Sequence, residues 1–332
     1  MLRSCKVAVL ICLAVPALCA SVTRAAPAPI YPCLRVDTPP VIDGDVKADP
    51  AWANIPGVTG FHALGGGYTV AKQSTAYACH DADNLYLAMV CEEPDIAQVK
   101  SVMKSGDGLW GEDSVEIFVE PTPGAPVLQF VVSAGGAMTG AAAAADLQNW
   151  KGTAKHDEGG YSVEVSVPIE DFREQPKPGD WHIAFCRNIW TTISGGDKFT
   201  SWPGLVSRFL EPEHYAVLQF RDTVATPELR DAADKSLNAD YRATLVAQVK
   251  ALAPAAGEYM DVLKQAATDD TVPMQGDALQ MLAAWSRVGR LAQEAANAPM
   301  GDLRQAAARA SSLQKESYEL KYRYLIEKLL QG

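Results

Sequence analysis

Four groups of residues in this sequence could do chemistry. Trp110 stands among Gly106, Gly108 and Gly111, a setting that suits an exposed loop ring better than a core one. A flat exposed ring can stack on the apolar C–H face of a ring-shaped ligand. Directly after it, Glu112, Asp113 and Glu116 lie close in sequence. Hydrolysis of a glycosidic bond needs two carboxylates about 5 to 10 Å apart, so a pair could come from this trio, but no second carboxylate motif accompanies it. Asp43, Asp45 and Asp49 form an acidic cluster able to hold Ca²⁺ through oxygen ligands. Their spacing fits no EF-hand loop, and Asp43-Gly44 also reads as a turn. Finally, Cys33, Cys79, Cys91 and Cys186 permit two disulfides in three connectivities, or serve as small buried hydrophobes.

The elements that must position these groups change character near residue 225. Before it the chain reads as short strands between turns. Leu85, Leu87, Met89 and Cys91 repeat with a period of two, and Thr75 to His80 precedes them across Asp81-Ala82-Asp83-Asn84. Val115, Ile117 and Val119 alternate with Ser114, Glu116, Phe118 and Glu120, which sends Glu116 to the face opposite the apolar residues. Further strands are expected at 127–133, 161–167, 181–187 and 216–220. The alanine run at 141–149 reads as a short helix or a loop. Regular short strands without long helices between them predict an all-β antiparallel sandwich. On this reading Arg187 and Asn188 end a strand near Glu116, Trp52 and Trp181 belong to the core, and Trp150 and Trp190 fit either side.

After residue 225 the chain is rich in Ala, Leu, Glu, Gln, Lys and Arg, and has no His. Thr226-Pro227-Glu228 reads as a capped helix start. Leu229, Ala233, Leu237, Tyr241, Leu245 and Val249 mark one face. Further helices are expected at 255–267, 277–297 and 303–330, giving an antiparallel bundle over 226–331. Its apolar stripes are core, and they leave room for self-association or a protein contact.

The N-terminus has the parts of an export signal. Arg3 and Lys6 precede an apolar run from Val7 to Ala20, and small residues offer cleavage between Cys19 and Ala26. That run is shorter than the roughly 20 residues that span a bilayer. Neither Leu18-Cys19 nor Ile11-Cys12 has the small residue expected before a lipid-modified cysteine. A net charge of −11 argues against a nucleic-acid partner and favours neutral ligands. Removing a signal over 1–25 leaves about 305 residues, enough for two domains, which the pattern places at 34–222 and 226–331.

The first of these resembles carbohydrate-binding module family 9 and its DOMON-like β-sandwich relatives, a jelly-roll type of sandwich, over about residues 38–221. The resemblance is carried by Val41-Ile42-Asp43-Gly44 with Asp49-Pro50-Ala51-Trp52, by Asp83-Asn84-Leu85-Tyr86-Leu87, and by Asp113-Ser114-Val115-Glu116-Ile117-Phe118. Tyr161 to Ile169, Arg187-Asn188, Ser201-Trp202-Pro203 and Glu211-Pro212 follow in order. The resemblance implies a non-catalytic module that clamps a terminal sugar between two aromatic rings. One ring falls at Trp110. The other falls at Phe209, with Trp202 as the alternative. It also implies that Glu116 bonds sugar hydroxyls, and that a basic residue serves on the next strand, where this chain has only Gln129. Some relatives bind Ca²⁺. Others in the sandwich group carry haem on Met, His or Lys ligands, for which His62, His80, His156, His182, His214, Met89, Met103 and Met138 are available; without Cys-x-x-Cys-His the haem would be non-covalent. An envelope protein with a structural role is the remaining alternative.

Overall fold

The computed structural model describes residues 27–65, 67, 69–172, 181–191 and 197–331. The expected signal sequence, and with it the lipid-anchor question, lies outside them.

Twelve strands among these residues join in one path that folds back on itself as a sandwich. They are β1 (Ile30–Arg35), β2 (His62–Ala63), β3 (Ser74–His80), β4 (Asn84–Glu92), β5 (Ser114–Glu120) and β6 (Leu128–Ser133). Then come β7 (Met138–Ala142), β8 (Lys151–Asp157), β9 (Gly160–Pro168), β10 (Trp181–Asn188), β11 (Phe199–Trp202) and β12 (Ala216–Val224). The order is β7-β6-β5-β10-β12-β1-β3-β4-β9-β8, with β11 and β2 added beside β10. The path folds back so that β8 packs on β6: His156 on β8 bonds the Ala134 carbonyl, and a Cβ on Gly152 would touch Val132.

The pairing is antiparallel as expected, apart from β1, which lies parallel to both β12 and β3. β1 starts at Ile30, ahead of the boundary expected at 34. The segment at 141–149 divides between the end of β7 and a single turn at Ala143–Asp146.

Alternation builds the core. The inward residues of β4, β5, β9 and β10, among them Leu87, Ile117, Val165 and Phe185, are wholly buried with Tyr31 and Trp181. Trp52 is also buried. Its indole donates to Glu164 at 2.6 Å, and the other Glu164 oxygen takes the N–H groups of Asp43 and Gly44. One carboxylate on β9 thereby holds the whole Val41–Trp52 loop.

Four α-helices follow: α1 (Pro227–Leu237), α2 (Ala239–Thr268), α3 (Gln275–Glu294) and α4 (Met300–Gln331). Thr226 caps α1 as expected. The face read as one helix from Leu229 to Val249 is broken at Asn238. There the amide side chain turns to the sandwich, accepting from Thr59 N–H and donating to the Gly57 carbonyl. Beyond the break, the two helices expected on either side of Pro254 are one helix, with Pro254 inside it. Asp234 takes the Gly57 N–H, and Arg304 on α4 pairs with Glu92 at the end of β4, so the helices are tied to the sandwich.

Candidate functional site

Strand parity decides which candidates meet. On β5, Ser114, Glu116, Phe118 and Glu120 turn away from the core. In antiparallel pairs, residues directly opposite share a face. Asn188 lies opposite Ser114, Gln129 opposite Phe118, and Ser133 opposite Ser114. On β11, Phe199 lies opposite Asn188. The outer face of β6-β5-β10-β11 therefore collects two carboxylates, Glu116 and Glu120, together with two amides and several rings.

Glu116 is its polar centre. One carboxylate oxygen accepts from Asn188 Nδ2 at 2.7 Å and the other from Gln129 Nε2 at 2.5 Å. Asn188 Nδ2 also reaches the Ser114 hydroxyl at 3.0 Å. Burial pushes the Glu116 carboxyl up from its usual range, and the two amide donors pull it partly back. Glu116 and Asn188 are buried, whereas Gln129 is half-buried. This carboxylate holds both amides in fixed orientations, and the Gln129 side chain is the one nearest solvent. The place where relatives were expected to carry a basic residue is thus filled by an amide bonded to the same glutamate.

Beside this group runs a row of rings. Trp110 sits on a single turn, Leu109–Gly111, and remains 48% exposed; a Cβ on Gly108 would lie 3.2 Å from the indole, so glycine lets the ring lie flat on the loop. The Trp110 carbonyl accepts from the Trp190 indole N–H at 3.1 Å. Trp190 meets Phe199 edge-on at 6.5 Å, Phe199 meets Phe209 at 6.1 Å, and Phe209 meets Phe118 at 6.3 Å. The loop carrying Phe209 is fixed by Tyr215, whose hydroxyl donates to the Phe209 carbonyl, and by Glu211, whose carboxylate caps Val206 and Ser207. Trp190 and Phe199 were not identified by sequence reasoning as members of this row. Phe199 carried no local signal, since its place in the row follows only from its pairing with Asn188 across β10–β11.

Three expectations are corrected. Trp202 is no wall of the site: it pairs with core residue Phe185, so parity turns it inward, where it packs on Tyr31 and Phe185 at 6.3 and 6.4 Å. Arg187 offers no donor to the outer face. It points the opposite way from Asn188, is wholly buried, and bonds the Glu92 carbonyl at 2.9 Å and the Glu93 carboxylate at 3.4 Å. Asp43, Asp45 and Asp49 do not fit a Ca²⁺ ion. Asp43 caps Asp45 N–H, Asp49 caps Val41 and Ala51, and Asp45 pairs with Lys155 at 2.7 Å. Among the described residues no three His, Cys, Asp or Glu side chains are grouped to hold a metal ion.

The four cysteines are free and buried. Cys33 faces the main core while Cys79 faces the smaller cluster around Trp52, on the other side of the sheet. Of the groups considered for haem, Met89 is core. His80 and His156 meet backbone carbonyls, and His182 meets Glu120 at 2.8 Å.

Residues 42–203 match the family model described as carbohydrate family 9 binding domain-like. This stretch is a domain of that family. Among solved structures, the sandwich is similar to a protein from Bacteroides uniformis ATCC 8492 proposed to be carbohydrate-binding. That match has 13% identity and a TM-score of 0.45, and covers 58% of this chain and 100% of that one. A carbohydrate-binding module family 9 from Caldicellulosiruptor kristjanssonii in complex with cellotriose matches at 17% identity and a TM-score of 0.40, covering 59% and 94%. The same organism's family 9 module in complex with glucose matches at 16% and 0.41, covering 59% and 98%. A search of curated proteins returned no match. Four helices follow this domain, and no helix among the described residues is long and apolar enough to cross a membrane.

Proposed function

We propose that this is an exported, non-catalytic carbohydrate-binding protein that holds a sugar on the outer face of β6-β5-β10-β11. The observation that carries the reading is the half-exposed Trp110 indole in a family 9 domain whose outer face also collects the Glu116–Asn188–Gln129 group. A sugar's C–H face stacks on Trp110 while its hydroxyls meet planar amide groups, chiefly Gln129. Phe209 is the opposing ring on this reading, and its smaller face gives a looser clamp than a second tryptophan. Glu116 and Asn188 act from beneath, keeping Gln129 oriented.

The N-terminal pattern from Arg3 to Ala26 supports export with cleavage there. On this reading the sandwich domain spans 30–224, to include all of β1 and β12, and the helical domain spans 226–331. Exposed Tyr318, Tyr322, Leu325 and Leu329 along α4 support self-association of the helical part, which size-exclusion chromatography coupled to light scattering tests. The sugar reading is tested on a glycan array with the secreted protein and its Trp110→Ala variant. Retention of a defined glycan set by the first and loss by the second is expected. An array blank for the wild type would refute the reading.

A further inference from the structure

Although the chain carries a net charge of −11, two lysines stand beside the rings of the proposed site, with exposed Asp107 and half-buried Asp197 nearby in the chain. Lys100 and Lys198 both direct their ammonium groups at the Trp190 ring, at 5.2 and 2.9 Å from its centroid. Lys100 is also anchored beside Trp110, because its Nζ donates to the Gly111 carbonyl at 3.1 Å. Trp190 in turn is fixed by its indole bond to Trp110 and by its backbone N–H to Asp113. Two cations and the exposed indole therefore form one constellation joined through Trp190 and the Gly111 carbonyl. Among the described residues neither lysine has a carboxylate within ion-pair distance. Glu112 and Asp113 are wholly buried, and their carboxylates cap the backbone N–H groups of Lys100, Val102, Met103, Trp190 and Thr191.

Two ammonium groups drawn to one ring repel each other, and a cation–π contact offsets only part of that. A ligand anion that reaches either ammonium group reduces the repulsion and gains a charge-assisted hydrogen bond. We infer that the sugar held at Trp110 carries an anionic substituent, a carboxylate or a sulfate, which is received by Lys100 and Lys198. This rests on the sugar-binding reading above and narrows its ligand class from neutral to acidic glycans. It also replaces the expectation, drawn from net charge alone, that the ligand is neutral. Net charge is a property of the whole surface, whereas recognition depends on the charges within about 10 Å of the ligand at moderate salt.

The test is calorimetric titration of the full chain with three oligosaccharides of equal length: a neutral glucan, an oligogalacturonate and a sulfated glucan. Each is titrated at low and at high sodium chloride, with wild type, Trp110→Ala and the double variant Lys100→Gln/Lys198→Gln. Each exposed ion pair is worth up to roughly five-fold in affinity. An acidic ligand is therefore expected to bind about ten-fold more tightly than the neutral one at low salt. That preference should shrink at high salt and disappear in the double lysine variant. Carboxylate over sulfate, or the reverse, identifies the source of the charge, and either supports the inference. Equal or tighter binding of the neutral glucan, with no effect of the lysine substitutions, overturns it and leaves the sugar reading standing. Binding of none of the three by the wild type, with a blank glycan array, removes both. Thermal unfolding of the double variant within a degree or so of wild type excludes a folding defect, as expected for exposed positions.

Discussion

Glu116 is the residue whose burial and partners conflict most. Its folded carboxyl holds a proton more tightly than the ordinary value of 4.5, because burial penalises the charge more than Asn188 and Gln129 offset it. A raised acid pKa adds stability below the unfolded value, and that contribution is lost as pH rises through the raised folded value. Wild type should therefore lose stability above pH 4.5 relative to Glu116→Gln, with the gap levelling off once the folded carboxyl is fully ionised. Thermal unfolding at stepped pH measures it, and a gap constant across pH would refute the assignment. At the same scale, Gln129→Ala should weaken sugar binding by about five- to thirty-fold, the worth of one or two polar contacts at roughly 1 kcal/mol each. Trp202→Phe should instead lower the melting temperature and leave affinity unchanged, since its ring packs on Tyr31 and Phe185. Equilibrium titration alongside a melt separates the two outcomes.

At the scale of elements, the sequence made the strands legible because alternation is a local signal. Val115, Ile117 and Val119 could be placed inside and Glu116 outside from period two alone. Which neighbouring strand lay opposite could not be read, since register is set by contacts distant in sequence. That is why Arg187 and Asn188, adjacent on β10, were both expected in the site although one of two consecutive strand residues must face the core. Trp202 was misplaced for the same reason, its direction depending on Phe185 across the β10–β11 pair. The helix break at Asn238 was hidden too, because the i, i+4 face continues through it and only the docking onto Gly57 and Thr59 stops the helix. The element most dependent on a single side chain is the Val41–Trp52 loop. Glu164→Ala leaves the Trp52 indole and the Asp43 and Gly44 N–H groups without their acceptor, at a cost of about 3 kcal/mol. Chemical denaturation measures this loss, and a change within about 0.5 kcal/mol would show that the loop is held by packing alone.

For the whole molecule, the sandwich and the helices have largely separate cores, joined by a seam in which Leu237 packs on the sandwich core and the Tyr241 ring lies against Gly60, beside several polar bonds. The main sandwich cluster runs from Tyr31 to Phe220, and the helical clusters start at Tyr241. Between them lie the bonds of Asp234 and Asn238 to Gly57 and Thr59, and the pair of Arg304 with Glu92. The helical part touches none of the residues of the sugar face named above. A chain ending at Ala225 should therefore fold and bind sugar within about two-fold of the full protein, as distant and independent sites usually behave. The composition change near residue 225 made this division legible in the sequence, whereas the seam itself was not, since it consists of single contacts without a periodic signature. The central claim is that the exposed Trp110 indole is the sugar platform. Calorimetric titration of wild type and Trp110→Ala with the glycan best retained on an array tests it most directly. A fall in affinity of about ten-fold or more, with an unchanged melting temperature, is the result expected for loss of a stacking ring. Equal affinity of the two proteins would contradict it.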